Sequence, residues 1–305
     1  MEENNVNFQS GTYLALGSFD GLHIGHLTLI NEIVKLAREN KGKSMVYSFK
    51  NHPLSLISKD KVPKLLMNNE TKIEILKKLD VDFVELVDFN EKLMKNSPRE
   101  FIENLVVLYN VKAIVVGFNY RFGFKNQGDT ELLEQLSSEL NFELKVMPPC
   151  VCDNEIVSST NIRSLISNGN LLEANKLLPE PYSLQGNVVN GRQIGRTIGF
   201  PTANLSYDEK YLKPSEGVYY TNVELDKKLY KGITSIGYNP TVNGNNLTIE
   251  TYILNFNDDI YGKEIKVFFL EKIRDNQKFN SIEELKDQLN KDKQYAEIRK
   301  IFRKF

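Results

Sequence analysis

Two cysteines in 305 residues, Cys150 and Cys152, leave this chain without a disulfide framework. Their one-residue spacing is poor geometry for a mutual disulfide and supplies too few ligands for a zinc site, so buried or incidental thiols are expected. An excess of charge of either sign is also missing, since 39 basic residues stand against 40 acidic ones. A balanced chain offers no broad electrostatic footprint for nucleic acid or an anionic membrane, and neither is expected as a partner. The opening MEENNVNFQS has no basic n-region or apolar h-region, and no run approaches the ~18 apolar residues of a membrane span. A cytoplasmic protein is expected. There is no internal repeat and no low-complexity tract. Histidine is scarce as well, yet two of the three, His23 and His26, fall in one four-residue window.

The window closes the ten-residue segment GSFDGLHIGH, Gly17 to His26. It follows the apolar run Thr12 to Leu16 and leads into helical spacing at Ile24, Leu27, Ile30, Ile33, Val34 and Ala37, so it reads as a strand-to-helix turn. Two histidines three apart on a first helical turn point the same way, toward free backbone N–H groups and a dipole that favour an anion. Gly21 and Gly25 allow close approach of the main chain to a ligand. Attack on the α-phosphate of ATP needs no protein nucleophile. It needs donors that steady phosphate charge while pyrophosphate leaves, and paired imidazoles supply them.

Up to about residue 147, β-branched runs (TYLALG, SMVYSF, DFVEL, KAIVVG, FELKVM) alternate with amphipathic stretches, which predicts parallel strands joined by crossover helices. Helices are expected at Ser159 to Ser167 and Leu171 to Leu178, followed by a domain boundary near Pro179 to Tyr182. From Tyr182 to Leu270 the period is two, with turn signals at Asn190-Gly191, Pro214 to Gly217, Asn243-Gly244 and Asp258-Asp259. That pattern predicts a small antiparallel barrel. A last helix begins at Ser281, with Glu284 at capping-box spacing.

Loops after strands should build the first site. SFKNHP, Ser48 to Pro53, follows the second strand and holds His52. GFNYRFGFKNQGD, Gly117 to Asp129, follows the fourth and sets Asn119, Tyr120, Arg121, Phe122 and Phe124 among glycines. Exposed aromatics beside an amide and a guanidinium suit a flat heterocycle; a loop packed on its own rings is the other reading. SSTNIR, Ser158 to Arg163, combines helix-capping hydroxyls with a guanidinium one turn on, the makings of a second phosphate clamp.

In the second half, GNVVNGRQIGRTIGFPTANL carries glycines at 186, 191, 195 and 199, spacing that can wrap phosphates through backbone N–H groups. Thr202 and Asn204 are two apart and share one face of an extended segment, where hydroxyl and amide oxygens suit Mg²⁺. Glu250, in LTIETYIL, points opposite to Ile249 and Thr251 and is the candidate base for phosphoryl transfer. By pattern alone a solvated strand glutamate fits equally.

The first of these motifs resembles the H-I-G-H signature of the nucleotidyltransferase superfamily. With SFKNHP, GFNYRFG and SSTNIR it is similar to the FMN adenylyltransferase module of prokaryotic FAD synthetases; the lysine-rich K-M-S-K-S loop of aminoacyl-tRNA synthetases is missing. GRTIGFPTANL, GVYYTNV, SIGYNPTV, IETYILNFNDDIYGKEIKVFF and IRDNQKF resemble riboflavin kinase, in the order of the bifunctional bacterial enzymes. The resemblance implies a Rossmann-like nucleotidyltransferase domain over 1–181 and a β-barrel kinase domain over 182–305. It implies ATP contacts at Gly17, Phe19, His23, Gly25, His26, Ser159, Thr160 and Arg163, and flavin contacts at Asn119, Arg121 and Phe122. In the barrel it implies Gly195, Thr202 and Asn204 at ATP, the last two as Mg²⁺ ligands, with Glu250 as base and Arg274 at the flavin. Riboflavin, FMN, FAD and ATP would be the substrates or products. The sequence departs from the family pattern at Asn126, Asn161, Tyr252, Asn255 and Asn276. An FAD synthetase with weak kinase activity and a flavin-sensing regulator are the alternative readings; oligomeric state is left open.

Overall fold

The computed structural model describes residues 8–191, 194–241 and 244–302. They fall into two compact units, one of residues up to Pro63 with Met67–Ser158, the other of Lys64–Leu66 with Ser159 onward.

The first unit begins with β1 (Thr12–Leu16), α1 (Ile24–Glu39) and β2 (Lys43–Phe49), then the single turn α2 (Leu54–Ile57) and α3 (Asn69–Lys78). It continues through β3 (Phe83–Val87), α4 (Glu91–Lys95), α5 (Pro98–Tyr109), β4 (Val111–Gly117), α6 (Thr130–Leu140) and β5 (Glu143–Met147). The strands form one parallel sheet in the order β3-β2-β1-β4-β5. All five residues of β1 are buried, because helices cover both faces of the sheet. Tyr13 and Ala15 pack with Ile30, Ile33 and Ala37 of α1 and Leu76 of α3, whereas Leu14 and Leu16 pack with Ile102 and Leu105 of α5 and Leu133 of α6. Winding runs from β1 toward β3, then restarts at β4 on the other side of β1. Loops leaving the carboxyl ends of β1 and β4 therefore diverge, and a crevice opens between them. The loops that carry the histidine pair and the aromatic cluster leave from those two ends.

A small hairpin, β6 (Val151–Cys152) and β7 (Glu155–Ile156), closes the first unit. Cys150 and Cys152 are free thiols, half-exposed rather than buried.

The second unit opens with α7 (Ser159–Ser167) and α8 (Leu171–Lys176), which match the expected helices. Next come β8 (Ser183–Val189), the single turn α9 (Ile194–Thr197) and β9 (Thr202–Tyr207). The long strands β10 (Gly217–Leu225), β11 (Lys228–Thr241), β12 (Gly244–Ile253) and β13 (Glu264–Arg274) follow, and α10 (Ile282–Ile298) ends the unit. The strands close an antiparallel barrel in the order β10-β11-β12-β9-β8-β13, as the change of period predicts. Inside it, hydroxyls of Thr221, Thr234 and Thr251 link three strands at 2.9 Å each, so buried polar groups satisfy one another. Of the expected turns, Asn243 lies outside the described residues. One hairpin was not signalled: Asp226 and Lys227 join β10 to β11 with φ of +50° and +64°, a left-handed pair achieved without glycine.

Compactness places α7 and α8 with the barrel. Asn175 donates to the Phe269 carbonyl at 2.9 Å and accepts the Tyr182 N–H at 2.8 Å. At α10, Ser281 accepts the Glu284 N–H as its spacing predicts, but the Glu284 carboxylate returns to the N–H of Asn280, one residue before the cap.

Candidate active sites

In the first unit, His23 is itself the N-cap of α1: its Nδ1 accepts the His26 N–H at 3.3 Å. The two imidazoles stack with centroids 3.6 Å apart and 18° between planes, and the buried Phe19 ring meets His26 edge-on at 5.3 Å. Phe19 and Leu22 both adopt φ of +47°. Two non-glycine residues in that region within one turn store strain of order 1–3 kcal/mol each, which the packing around them sustains. A Cβ on Gly25 would stand 3.2 Å from the His23 ring, and one on Gly17 3.0 Å from Phe19, so both glycines make room for rings that define the turn. Burial, then the His23 and Lys72 charges, push the His26 pKa well below the usual imidazole value. His26 is therefore neutral at pH 7, and its Nδ1 is buried without a hydrogen-bond partner.

The loop after β4 turns back on itself through paired backbone bonds between Phe122 and Gly128. Asn119 and Arg121 are exposed, and Arg121 pairs with Asp129 at 2.9 Å. Phe122, expected to face a flavin, is only 4% exposed; it packs in the core beside Phe101 and stacks on Tyr120 at 5.6 Å. It supports the loop from beneath, and the ring presented to solvent is Phe118. In SFKNHP, Asn51 pairs through both amide atoms with the backbone of Phe89, and His52 accepts the Leu54 N–H, so these side chains shape the loop.

Ser159 and Thr160 occupy the first turn of α7, within the second unit. Arg163 directs Nε to the Lys64 carbonyl at 2.7 Å, and Leu65 in turn pairs with Tyr211.

The barrel brings Thr202, Asn204 and Glu250 together. Register pairs Tyr252 with Thr202 and Glu250 with Asn204 across β12 and β9, while alternation buries Ala203, Leu205, Ile249 and Thr251. Glu250 Oε2 accepts the Thr202 hydroxyl at 3.3 Å, and Oε1 accepts the Thr248 hydroxyl at 3.2 Å. A cleft of about 320 Å³ lies against Thr202, Asn204, Asp258 and Tyr261, and another of about 900 Å³ against Gly191, Asn204, Lys213 and Glu250. Asn204 lines both. A Cβ on Gly191 would stand 2.1 Å from the Asn204 amide, so a larger residue there would displace that side chain. A Cβ on Gly195 would stand 2.2 Å from the Phe200 carbonyl. Arg274, also expected at a flavin, is engaged elsewhere. Nε and Nη2 bind Asp292 of α10, at 2.7 Å for the closest contact, and Nη1 donates to the Asp275 carbonyl, so the guanidinium anchors a helix.

One side chain beside the first site has no signal in the sequence motifs. Lys72 is buried beside the histidine turn; its signal is helical spacing to Ile75 and Leu76 on the apolar face of α3. Thr248, two residues before Glu250 and so on the same face of β12, holds the second carboxylate oxygen; alternation gives the shared face but not the bond.

The family model for FAD synthetase matches residues 5–161, and that for riboflavin kinase matches residues 178–300. The chain belongs to the bifunctional riboflavin kinase/FMN adenylyltransferase family. The relative of that name from Listeria monocytogenes is 39% identical over 92% of this chain and 90% of its own length. The Bacillus subtilis relative is 35% identical over 94% and 92%, and that of Escherichia coli K12 is 36% identical over 93% and 91%. A crystal structure described as a macrolide-efflux protein from Streptococcus pneumoniae is 34% identical, covers 97% of both chains and superimposes with a TM-score of 0.88. Among the described residues here, no helix is long and apolar enough to cross a membrane.

Asn126 and Asn255 adopt φ of +57° and +54°, where asparagine is better tolerated than most residues. Asn276 donates to the Ile236 carbonyl at 2.8 Å, and the Tyr252 ring packs edge-on against Phe200 at 5.2 Å.

Proposed function

We infer that this chain carries both activities of its family, converting riboflavin and ATP to FMN and ADP at the barrel, and FMN and ATP to FAD and pyrophosphate at the parallel sheet. The observation that carries the reading is the 3.3 Å contact between Thr202 and Glu250 across neighbouring strands, with Asn204 beside them on the wall of two clefts. That is a candidate base next to hard oxygen ligands where two substrates can meet. In the barrel, Glu250 takes the proton of the ribityl hydroxyl as its oxygen bonds to the γ-phosphorus and the bond to ADP breaks. Thr248 and Thr202 fix the carboxylate oxygens, which keeps the base aimed.

Hydroxyl, amide and carboxylate oxygens at Thr202, Asn204 and Glu250 fit Mg²⁺, which keeps waters and binds through few protein ligands plus phosphate. Among the described residues there is no cluster of three His, Cys, Asp or Glu that would suit a caged metal instead. Thr202 and Asn204 would hold the ion, which when bound offsets phosphate charge.

At the sheet, an FMN phosphate oxygen bonds to the α-phosphorus of ATP and pyrophosphate leaves. His23 and His26 donate to the phosphates, with Gly17, Phe19 and Gly25 shaping their turn. Ser159, Thr160 and Arg163 add oxygen and guanidinium contacts to ATP; Asn119 and Arg121 face the flavin. The functional division falls at 181/182, Gly195 belongs to the barrel's ATP site, and the partners are small molecules of the cytoplasm. Incubation with riboflavin and Mg-ATP, with FMN and FAD resolved over time, should show FMN rising before FAD. FAD made from FMN without any FMN from riboflavin would confine the enzyme to the adenylyl half.

A further inference from the structure

Among the described residues, Lys72 is the one buried lysine or arginine, 4% exposed. A desolvated ammonium is unfavourable unless it meets partners. Its Nζ donates to the Ser18 carbonyl at 3.1 Å, and the same carbonyl accepts the Ser48 hydroxyl at 2.9 Å. Ser18 follows Gly17 in the turn between β1 and α1, so a helix and a neighbouring strand both grip that turn. Burial lowers the Lys72 pKa, and the buried Asp20 carboxylate opposes the shift.

The charged and titratable groups that act on His26 are His23 on its own element and Lys72 on α3, with Asp20 of the turn acting through Lys72. Phe19 closes another side with an apolar edge. Protonating His26 would place an N–H at Nδ1, where no acceptor is present, and create a second positive charge that the Lys72 charge opposes. A neutral ring keeps its proton on Nε2, as a donor.

We propose that Lys72 is a positioning residue for adenylyl transfer: its buried ammonium clamps the β1–α1 turn through the Ser18 carbonyl and holds His26 as a neutral imidazole that donates from Nε2. The inference rests on the adenylyl-transfer reading of this site. A neutral donor fixed before reaction steadies phosphate charge without surrendering a proton.

The test uses the full chain with Lys72→Met, which keeps length without charge, and Lys72→Gln, which keeps a donor for Ser18 without charge. With only three histidines, His26 can be followed by ¹⁵N-edited NMR of the imidazoles and assigned against His23→Ala and His52→Ala. In both variants the His26 titration should move up by on the order of one pH unit. The kcat for FAD formation should fall ~10-fold or more at neutral pH, with its acid limb following the new titration, while the KM for ATP changes less. FMN formation, the barrel's reaction, should stay within about twofold. An unmoved His26 titration in a folded variant overturns the proposal, as does loss of FAD and FMN formation in parallel, or failure of both variants to fold. Should the parent chain form no FAD, the adenylyl reading fails by itself, and the His26 titration still decides whether Lys72 governs that imidazole.

Discussion

His23 and His26 stabilise one another geometrically, by ring stacking and by the cap bond from the His26 backbone N–H to His23 Nδ1. Losing either ring removes a donor whose value rises as charge develops on the phosphates. His23→Ala or His26→Ala should therefore reduce FAD formation from FMN by ~10²-fold or more, by analogy with loss of one oxyanion donor, while FMN formation survives. Chromatographic assay of both products in one sample checks this, and equal loss of both activities with a lower melting temperature would assign the histidines to folding. Glu250 is the corresponding residue of the barrel. Glu250→Gln preserves shape and the contacts from Thr202 and Thr248 yet removes the base, so FMN turnover should fall ~10²-fold or more with little change in Mg-ATP binding. Thr202→Ala should instead raise the KM for Mg-ATP, since it deletes a hard oxygen ligand. Steady-state kinetics of riboflavin phosphorylation separate the two, and full turnover in Glu250→Gln would send the search for a base to Asp258 or Asp259.

Asp82, just before β3, joins three elements: it accepts the Ser44 N–H at 2.9 Å and hydroxyl at 2.8 Å from β2, and Arg38 of α1 at 2.7 Å. Burial works to raise its pKa, but the Ser44 backbone and the Arg38 and Ser44 side chains outweigh it and bring the value to about 2. A depressed carboxylate stabilises the fold above its unfolded pKa and loses that effect as pH falls through its folded pKa. The contribution is about 2 kcal/mol at neutral pH and should vanish between about pH 4 and pH 2. Denaturant titrations of the parent chain and Asp82→Asn should differ at pH 7 and converge near pH 2; a constant gap would refute the assignment. Such cross-element junctions are what the sequence does not display. The turn at 17–26 was legible because glycine spacing and helical period are local, and α7 matches its expected bounds for the same reason. That Phe122 is buried and Arg274 pairs with a helix is not legible in the sequence, because an aromatic or a guanidinium in a loop looks alike whether it faces solvent, a ligand or a helix. Only packing decides, against Phe101 in one case and Asp292 in the other. Lys72 was overlooked for the converse reason, since a lysine among several on a helix reads as surface.

The two halves are expected to separate, and where they separate bears on what the barrel is built from. The change from helical to strand period favours a cut at Tyr182, whereas compactness gathers α7 and α8 with the strands. Ile162, Ile166, Leu171 and Ala174 are almost fully buried, and Asn175 bridges the Tyr182 backbone to β13. A fragment of residues 159–305 keeps those contacts; one of residues 182–305 loses them and exposes their apolar partners. Both should fold and phosphorylate riboflavin, since Thr202, Asn204, Thr248 and Glu250 lie in strands common to the two. Neither should make FAD, because His23 and His26 are gone. The shorter fragment should melt lower, by on the order of 5 °C or more, for a loss of at least about 1 kcal/mol in a domain of this size. Calorimetry and an FMN assay on the pair read the result. A folded, active 159–305 beside an unfolded 182–305 would move the functional boundary ahead of α7, and failure of both would mean that the barrel needs residues before 159 to fold, among them Lys64–Leu66, which belong to its own unit.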